Sequence, residues 1–502
     1  MAYIKSYHNQ DWLLPPNIED LIPEDHICYL VEALVESMDF SRFDETYSGP
    51  GHPAYHPRIL LKLLVQGVLD QTRSSRMLAR KARENIVYMY LAEKLAPDFR
   101  TISDFRKRNP DLVKAAFKHT VTLAMQHGVL DLSHLATDGT KLKANAANKH
   151  NLTKEELKFL LRFVDEELEA WGKQDEIEDE RFGELRGSDQ LPEKSKKKIQ
   201  KIVKRYVDKL KKNQGGKKPG DTFKEKIKKK LKKAQEEVEK HDLKKVSLTD
   251  PESRFMRNKS RRIEFSYNPQ VTTDRTGFIV AADVCQDEND PNQLKPQVTQ
   301  TEKHLGQLPQ DTSWSFDNGY HSADNIAYLC EKKINAFIAV RKPDPNPYCA
   351  DKFVHDKASD TYICPAQRSM IFLGERHEKS RSRWHYLYKG RDCPACPHQI
   401  LCTRNRKGIR YLKISLHREF AEKMAAKMRT PTAQETYKLR AQTVEPVIGD
   451  LKHNRGLREF TTRGIKTVRI EFNLACIAHN LKKLWLRDRE KPNDVARHAF
   501  LL

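Results

Sequence analysis

The chain has 502 residues, of which 91 are basic and 69 acidic, so its formal net charge is +22. No run of about 18 apolar residues occurs, which excludes a membrane-spanning helix. The 20 Phe, 17 Tyr and 5 Trp are enough to build cores, which excludes wholesale disorder. The charge points to a polyanionic partner, most often nucleic acid, and by charge alone a basic soluble enzyme is an equal alternative.

Length and cysteine usage indicate several domains in a reducing compartment. At about 150 residues per domain, two to four domains are expected. Residues 1–11 contain no apolar stretch typical of a secretory signal. The nine cysteines are unevenly spaced, unlike the disulfide framework of a small secreted chain. We therefore expect a cytoplasmic protein.

Residues 1–125 are predicted to be helical. The predicted helices are 25–38, 59–69, 74–91 with Ser74 as its N-cap, and a fourth that starts near 101–103 and runs from 104 to the break at Pro110. The later helices carry a cluster of basic residues that includes Arg76, Arg80 and Arg106. Short helices with a basic face suit a helix-turn-helix reader of DNA. The alternative is a helical bundle whose basic face is solvated.

A strand and a charged insertion follow. Residues 133–144 alternate with a period of two, which predicts a strand. Residues 151–249 are highly charged and are predicted to form two or three helices inserted into another domain. Within them, residues 191–230 contain 17 Lys and Arg against 4 Asp and Glu. This stretch is either a solvated charge run or a phosphate-binding surface.

Strands resume after residue 250 and alternate with helices. Two β-branched runs, 265–274 and 277–284, flank a turn that ends in Gly277, which predicts a hairpin. The next predicted elements are a helix at 293–305, a strand at 312–317, a helix from Ser322 and a strand at 336–340. Residues 418–487 are predicted to be helical.

Three acidic residues are candidates for two-metal chemistry on phosphodiesters, which needs carboxylates gathered at one point. Asp138 lies within the first predicted strand, where a charge is costly unless it is used. Asp317 ends a strand and precedes a turn. Glu445 is predicted to open a helix that Thr443 caps, with Pro446 in its first turn. Each acid alone could be an ordinary surface residue.

A cysteine cluster predicts a tetrahedral Zn²⁺ site. Its proposed ligands are Cys364, Cys393, Cys396 and Cys402. Cys349 or His398 could replace one of them, and four unliganded thiols are the alternative. The cysteines in apolar contexts, predicted to be packed thiols, are Cys28, Cys285, Cys330 and Cys476.

Motifs spread over nearly the whole chain match one known family as a set. They are His-Pro-Arg at 56–58, Thr-Ile-Ser-Asp-Phe-Arg at 101–106, Thr-Asp-Gly-Thr at 137–140, Asp-Asn-Gly-Tyr at 317–320, and Tyr437, Arg440, Glu445 and Lys452. By these motifs the chain resembles the DDE transposases of bacterial insertion sequences, in the branch with a Tyr-Arg-Glu-Lys signature. Four residues separate Arg440 from Glu445, where the family commonly has three.

The resemblance implies an RNase H-like fold and a metal-dependent active site. The implied ligands of two Mg²⁺ or Mn²⁺ are Asp138, Asp317 and Glu445. The residues implied to hold DNA phosphates are Tyr437, Arg440 and Lys452. Such an enzyme would bind the terminal inverted repeats of its element, cleave DNA and transfer strands to a target.

The same resemblance implies the partners and the location. They are double-stranded DNA of transposon ends and target, a second copy of the chain in a homodimer on paired ends, and the nucleoid in the bacterial cytoplasm. Two alternatives are an inactive DNA-binding protein and an RNase H-like nuclease without strand transfer.

These expectations describe a multidomain α+β and α/β protein. An RNase H-like catalytic core, a mixed sheet with helices, follows an all-helical N-terminal domain and is interrupted by a charged helical insertion and a zinc-ribbon-like Cys-rich insertion. The predicted segments are 1–125 (helical, DNA-binding), 126–150 and 250–342 (first two parts of the core), 151–249 (charged insertion), 343–410 (Cys-rich insertion), 411–490 (C-terminal part of the core) and 491–502 (tail).

Overall fold

The structure is a computed structural model that describes most of the chain. The described ranges are 17–46, 54–146, 151–166, 191–214, 220–258, 261–340, 345–356, 358–378 and 383–489. The predicted tail at 491–502 and residues 215–219 of the basic stretch lie outside them. No helix within these ranges is long and apolar enough to cross a membrane.

The N-terminal helices begin and end where the chain supplies caps and breaks. They are α1 (Cys28–Glu36), α2 (Ser41–Thr46), α3 (Pro57–Leu69), α4 (Ser75–Glu84), α5 (Ile86–Leu91), α6 (Phe99–Arg108) and α7 (Pro110–Gln126). The prediction of one helix at 74–91 is wrong, because Asn85 ends α4 and its side chain caps α5. Ser74 precedes α4 but makes no capping hydrogen bond through its side chain. Asp98 caps α6, so this helix begins at Phe99, shortly before the predicted start near 101–103.

The described residues contain fourteen strands. In chain order they are β1 (His134–Gly139), β2 (Leu142–Lys143), β3 (Asn151–Thr153), β4 (Lys245–Ser247), β5 (Arg254–Arg257), β6 (Ile263–Thr273), β7 (Ile279–Cys285), β8 (Ser313–Phe316), β9 (Asn335–Ile338), β10 (Val354–Asp356), β11 (Thr361–Ile363), β12 (Met370–Glu378), β13 (Arg383–Gly390) and β14 (Tyr411–Ser415). The predicted hairpin around Gly277 is confirmed, since β6 and β7 pair antiparallel on either side of it.

The central sheet is mixed. Its spatial order is β7-β6-β1-β8-β9, and β2 and β5 also pair with β6. Strands β1, β8 and β9 run parallel, whereas β6 is antiparallel to both of its neighbours β1 and β7. This arrangement is compatible with an RNase H-like domain.

Helices complete the insertions and cover the sheet. They are α8 (Lys154–Glu166), α9 (Glu193–Gln214), α10 (Gly220–His241), α11 (Leu294–Leu305), α12 (Ala323–Glu331), α13 (Gln399–Cys402), α14 (Arg418–Lys427), α15 (Pro431–His453) and α16 (Ile465–Arg489). The predicted helix at 293–305 is confirmed as α11. The helix from Ser322 is also confirmed, and the Ser322 hydroxyl caps α12 by accepting a hydrogen bond from the amide of Asn325.

Buried apolar residues form one large and two small clusters in the described ranges. The large cluster joins the N-terminal helices, the sheet and α16, which packs against α3, α7 and β7. The charged insertion has its own core around Leu160, Val203 and Leu231, and the β3–β4 pair closes its base. The Cys-rich segment has a third core that includes Tyr388 and Leu412. The N-terminal helices therefore share a continuous core with the sheet.

Candidate active site

Asp138 and Asp317 are brought side by side by two parallel strands. In the β1–β8 pair Thr137 lies opposite Phe316. The next residue along the chain is Asp138, still within β1, in one case and Asp317, directly after β8, in the other. Neighbouring strands are about 4.8 Å apart, so the two carboxylates share one end of the sheet. Asp138 is only 3 % exposed, whereas the Asp317 side chain is 40 % exposed.

Glu445 lies in the second half of α15, and the prediction that it opens a helix is wrong. The helix begins at Pro431 and is capped by the side chain of Thr430. Thr443 is buried and its hydroxyl donates to backbone carbonyls one turn earlier, so it caps nothing. Pro446 lies inside the helix, where it has no N–H to donate. Because α15 packs against β1 and β8, Glu445 reaches the strand ends that carry the other two acids.

The guanidinium group of Arg440 joins the three acids. Its Nη2 lies 2.8 Å from Oδ2 of Asp138 and 4.0 Å from Oδ2 of Asp317, and its Nη1 lies 3.2 Å from Oε1 of Glu445. Burial lowers the pKa of Arg440, but the negative charges of Asp138, Asp317 and Glu445 outweigh it, so the pKa lies above its usual value. One buried cation thus contacts carboxylates from β1, the turn after β8, and α15.

Tyr437 and Lys452 lie on the same helix as Glu445. Tyr437 is half-buried one turn before Arg440. Burial raises the pKa of its hydroxyl, the charge of Arg440 lowers it, and the three acids raise it further. Lys452 is two turns beyond Glu445 and lines the cleft described next. The helix thus brings the four residues of the Tyr-Arg-Glu-Lys motif to one side of the sheet.

A cleft of about 1060 Å³ opens at these strand ends and is lined by both Asp138 and Asp317. The basic residues that line it are Lys141, Lys143, Arg257, Arg262, Lys452 and Arg458. Its acidic residues are Asp138, Glu264, Glu288, Asp290 and Asp317, and its cations lie in or next to β2, β5, the start of β6 and the end of α15. This charge pattern suits a polyanion whose backbone lies across an acidic centre.

Asp290 is an acid of this cleft, beside Asp138 and Asp317, that sequence reasoning missed. Its Oδ1 accepts hydrogen bonds from the side-chain amides of Asn268 (2.7 Å) and Gln270 (2.9 Å) on β6. A Cβ at Gly139 would lie 2.8 Å from Oδ1, and a Cβ at Gly319 would lie 2.7 Å from Oδ2. The available signal was the pair Gly139, directly after Asp138, and Gly319, two residues after Asp317. A glycine at each position lets the carboxylate of Asp290 come close to the backbone.

The arginines predicted to bind DNA have different surroundings. Arg76 and Arg80 are exposed on α4; Arg76 stacks 5.1 Å from the ring centre of Phe99, and Arg80 pairs with Glu84. Arg106 is instead partly buried and donates to the backbone carbonyl of Arg73 at 3.2 Å. Burial lowers the pKa of Arg106. Arg76 and Arg80 are therefore open to a ligand, whereas Arg106 also contacts the backbone between α3 and α4.

The four predicted zinc ligands line one small cavity of about 30 Å³, together with His398. Cys349 does not line it; its thiol donates to Asp351. Burial raises the pKa of Cys402, Arg410 lowers it, and the other three clustered cysteines raise it. Among the remaining thiols, Cys330 is exposed, so its prediction as a packed thiol is wrong. Those buried, as predicted, are Cys28, Cys285 and Cys476.

Neither the three acids nor the four clustered cysteines form a compact metal site within the described residues. In the described part of the chain, no three or more His, Cys, Asp and Glu side chains are close enough together to hold a metal ion. At the three acids, the bridging group is the guanidinium of Arg440.

Comparison with known families adds an independent line of argument. Residues 363–485 match a family described as "Transposase DDE domain", and residues 16–108 match one described as "Transposase domain (DUF772)". The two matches indicate a DDE transposase of an insertion sequence. The first match contains α15 with Glu445 and the cysteine cluster, and the second contains α4 and α6. No curated protein matches the chain.

The matched transposase domains indicate the general activity. The protein is an enzyme of DNA transposition, its substrate is DNA, and the family uses divalent metal ions. Asp138 and Asp317 lie outside both matched segments, so their part in the active site is argued from geometry.

Proposed function

We propose that this transposase cleaves and joins DNA at Asp138, Asp317 and Glu445. The observation that carries the proposal is the contact of all three carboxylates with the single guanidinium of Arg440. Acids far apart in the sequence converge on one cation, and two of them, Asp138 and Asp317, line a cleft with basic walls. Ordinary surface acids have no physical reason to converge in this way.

The three side chains fit two Mg²⁺ or Mn²⁺ ions by their chemistry. They supply carboxylate oxygens, which these cations prefer, and they already accommodate a buried positive charge. When bound, the metal ions would activate a water or a DNA 3′-OH and stabilise the leaving oxygen. Asp138 and Asp317 hold one side of the centre on the rigid sheet, and Glu445 closes it from α15.

In this proposal Arg440 would exchange its carboxylate partners for a DNA phosphate. It and a divalent cation would use the same carboxylate oxygens, so metal binding would release the guanidinium group. The freed group can then pair with a phosphate, which guanidinium binds as two parallel hydrogen bonds. Tyr437 and Lys452, on the same helix, would hold neighbouring phosphates. The same four residues support membership of the Tyr-Arg-Glu-Lys branch.

The DNA ends are proposed to be the terminal inverted repeats of an insertion sequence. Their reader would be the basic N-terminal helices, where Arg76 and Arg80 are exposed on α4 and Arg106 lies on α6. Cleavage at two ends calls for two active sites, which supports a homodimer on paired ends in the nucleoid.

Zn²⁺ is proposed as a structural ion of the Cys-rich segment. Four thiols that line one cavity are the donors that tetrahedral Zn²⁺ prefers. Metal analysis of the purified chain should find about one equivalent. The Cys393→Ser, Cys396→Ser variant should lose it, whereas Cys330→Ser, which removes an exposed thiol, should keep it. A metal-free wild-type protein would contradict the proposal.

The catalytic proposal is tested by Mg²⁺-dependent nicking of a duplex that contains an element end. Glu445→Gln and Asp138→Asn should abolish nicking while end binding persists. Glu435→Gln is the matched control, since Glu435 is exposed on the same helix ten residues earlier and has no contact with Arg440 in the described structure.

Three results would separate the alternatives. Binding without cleavage by the wild type would favour an inactive DNA-binding protein. Cleavage without joining of pre-cut 3′-OH ends would favour a simple nuclease. Unchanged nicking by Asp138→Asn would refute the proposed site.

A further inference from the structure

A second large cleft lies along the edge of the sheet at β7. Its volume is about 1010 Å³, and its walls come from α7, α11 and α16 with Ala282 and Asp283 of β7 at its base. It shares no lining residue with the cleft that contains Asp138 and Asp317. The catalytic centre therefore does not account for it.

Each of its three helices contributes two cations to this cleft. They are Lys114 and Lys118 of α7, Lys295 and Lys303 of α11, and Lys466 and Arg469 of α16. All six side chains are exposed. The carboxylates that line the cleft are Asp111 and Asp283, and Asp283 is already paired with Arg469 at 2.8 Å.

The five lysines are not neutralised by carboxylates of the residues that the structure describes. In the ranges that the structure describes, none of them forms an ion pair with a carboxylate; Lys295 instead lies 5.1 Å from the ring centre of Tyr328. The charges of three of them act on the buried His304 at the cleft wall. Burial lowers the pKa of His304, its bond to the Val280 carbonyl raises it, and the charges of Lys118, Lys114 and Lys303 lower it again.

Like charges held together cost free energy that a polyanion would offset. Lys114 and Lys118 are one helical turn apart and face the same way. Lys295 and Lys303 are eight residues apart on α11, which is about 12 Å along a helix. A row of this length on exposed lysines matches a chain of phosphates rather than one small anion.

We propose that the β7 cleft binds the backbone of a second DNA duplex, separate from the duplex whose phosphate lies at the three acids. The proposal rests on the proposed function, in that a joining reaction needs two DNA segments on one enzyme. The cleft provides non-sequence-specific phosphate contacts at the edge of the catalytic sheet. It would hold this duplex while the first occupies the catalytic cleft.

The test compares two variants with equal loss of charge. The cleft variant is Lys114→Gln, Lys118→Gln, Lys303→Gln. The control variant is Lys94→Gln, Lys333→Gln, Lys423→Gln, whose lysines are exposed and line neither cleft. The chain is first saturated with an end duplex, and binding of a second, fluorescent duplex of unrelated sequence is then measured across a salt series.

The cleft variant should bind the second duplex at least tenfold more weakly than the control at moderate salt. The slope of log Kd against log salt should fall by up to about 0.9 for each lost phosphate contact. Nicking of the bound end duplex should be unchanged, and joining to the second duplex should fall in parallel with binding. Because second-duplex binding is read without catalysis, a failure of the proposed active site would leave this measurement intact.

Equal affinity and equal salt slopes for the cleft and control variants would overturn the proposal. Equal loss of end-duplex nicking and second-duplex binding by the cleft variant would also overturn it, since the two duplexes would then share one surface.

Discussion

Replacement of Gly319 by alanine should push the turn that follows β8 away from the side chain of Asp290. The new Cβ would lie 2.7 Å from Oδ2 and 3.5 Å from Cβ of Asp290. The carboxylate cannot rotate away freely, because Asn268 and Gln270 donate to its other oxygen at 2.7 and 2.9 Å. An overpacked contact typically costs about 1–3 kcal/mol, and each weakened hydrogen bond adds about 1 kcal/mol. The overpacked contact and the two weakened hydrogen bonds together predict a destabilisation of about 3–5 kcal/mol, confined to the strand ends.

Hydrogen–deuterium exchange of peptides that cover β1 and β8 measures this quantity locally, so it does not require the whole chain to unfold in one step. Gly449→Ala is the matched control: nothing lies within 4 Å of a Cβ at this helical glycine, so the change should stabilise α15 by about 0.5–1 kcal/mol. In a double-mutant cycle, Asp290→Ala should remove at least about 1 kcal/mol of the Gly319→Ala penalty. Unchanged exchange in β1 and β8, or strict additivity in the cycle, would refute the close-contact argument.

Three further outcomes are expected. Arg440→Gln should lower the Mn²⁺ concentration needed for half-maximal binding by about tenfold, because the buried guanidinium no longer competes for the carboxylates; a tenfold change corresponds to about 1.4 kcal/mol of binding free energy. The same variant should bind the end duplex more weakly. A higher Mn²⁺ requirement, measured by titration calorimetry, would contradict this prediction. Burial lowers the pKa of the His134 ring to about 4, so the ring stays neutral in the folded state. Its contribution to the free energy of unfolding is complete above pH 6.5 and is lost as the pH falls towards 4. In denaturant titrations, His134→Gln should flatten the pH dependence of stability in that window by up to about 1.4 kcal/mol per pH unit. Pro446→Ala should restore a helical hydrogen bond and stabilise α15 by about 1–2 kcal/mol. Because Pro446 is adjacent to Glu445, the same change should slow nicking, and faster nicking would count against a positioning role for the proline.

Some elements could be predicted because neighbouring residues decide them. The β6–β7 hairpin follows from β-branched runs around Gly277, and the start of α12 follows from the Ser322 cap. The errors have local causes too: Asn85 caps a new helix within what was predicted as one.

Pro446 shows where local rules fail. A proline normally marks a helix start, yet here α15 continues through it. Val444 and Val447 on either side are buried in the main core, and burial of two such side chains offsets the cost of about 3 kcal/mol for an interior proline. The pattern of residues 443–446 contains no information about that packing.

Residue types and motif spacing were enough to predict the transposase family, the three acids and a basic surface. Only the tertiary structure decides that Asp138, Asp317 and Glu445 meet at the guanidinium of Arg440, because the meeting depends on the β1–β8 pairing and on α15 packing across both strands. Asp290 and the lysines of the β7 cleft follow the same principle, since they converge from segments far apart in the sequence. Contacts of this kind depend on chain closure over long loops, which no local periodicity encodes.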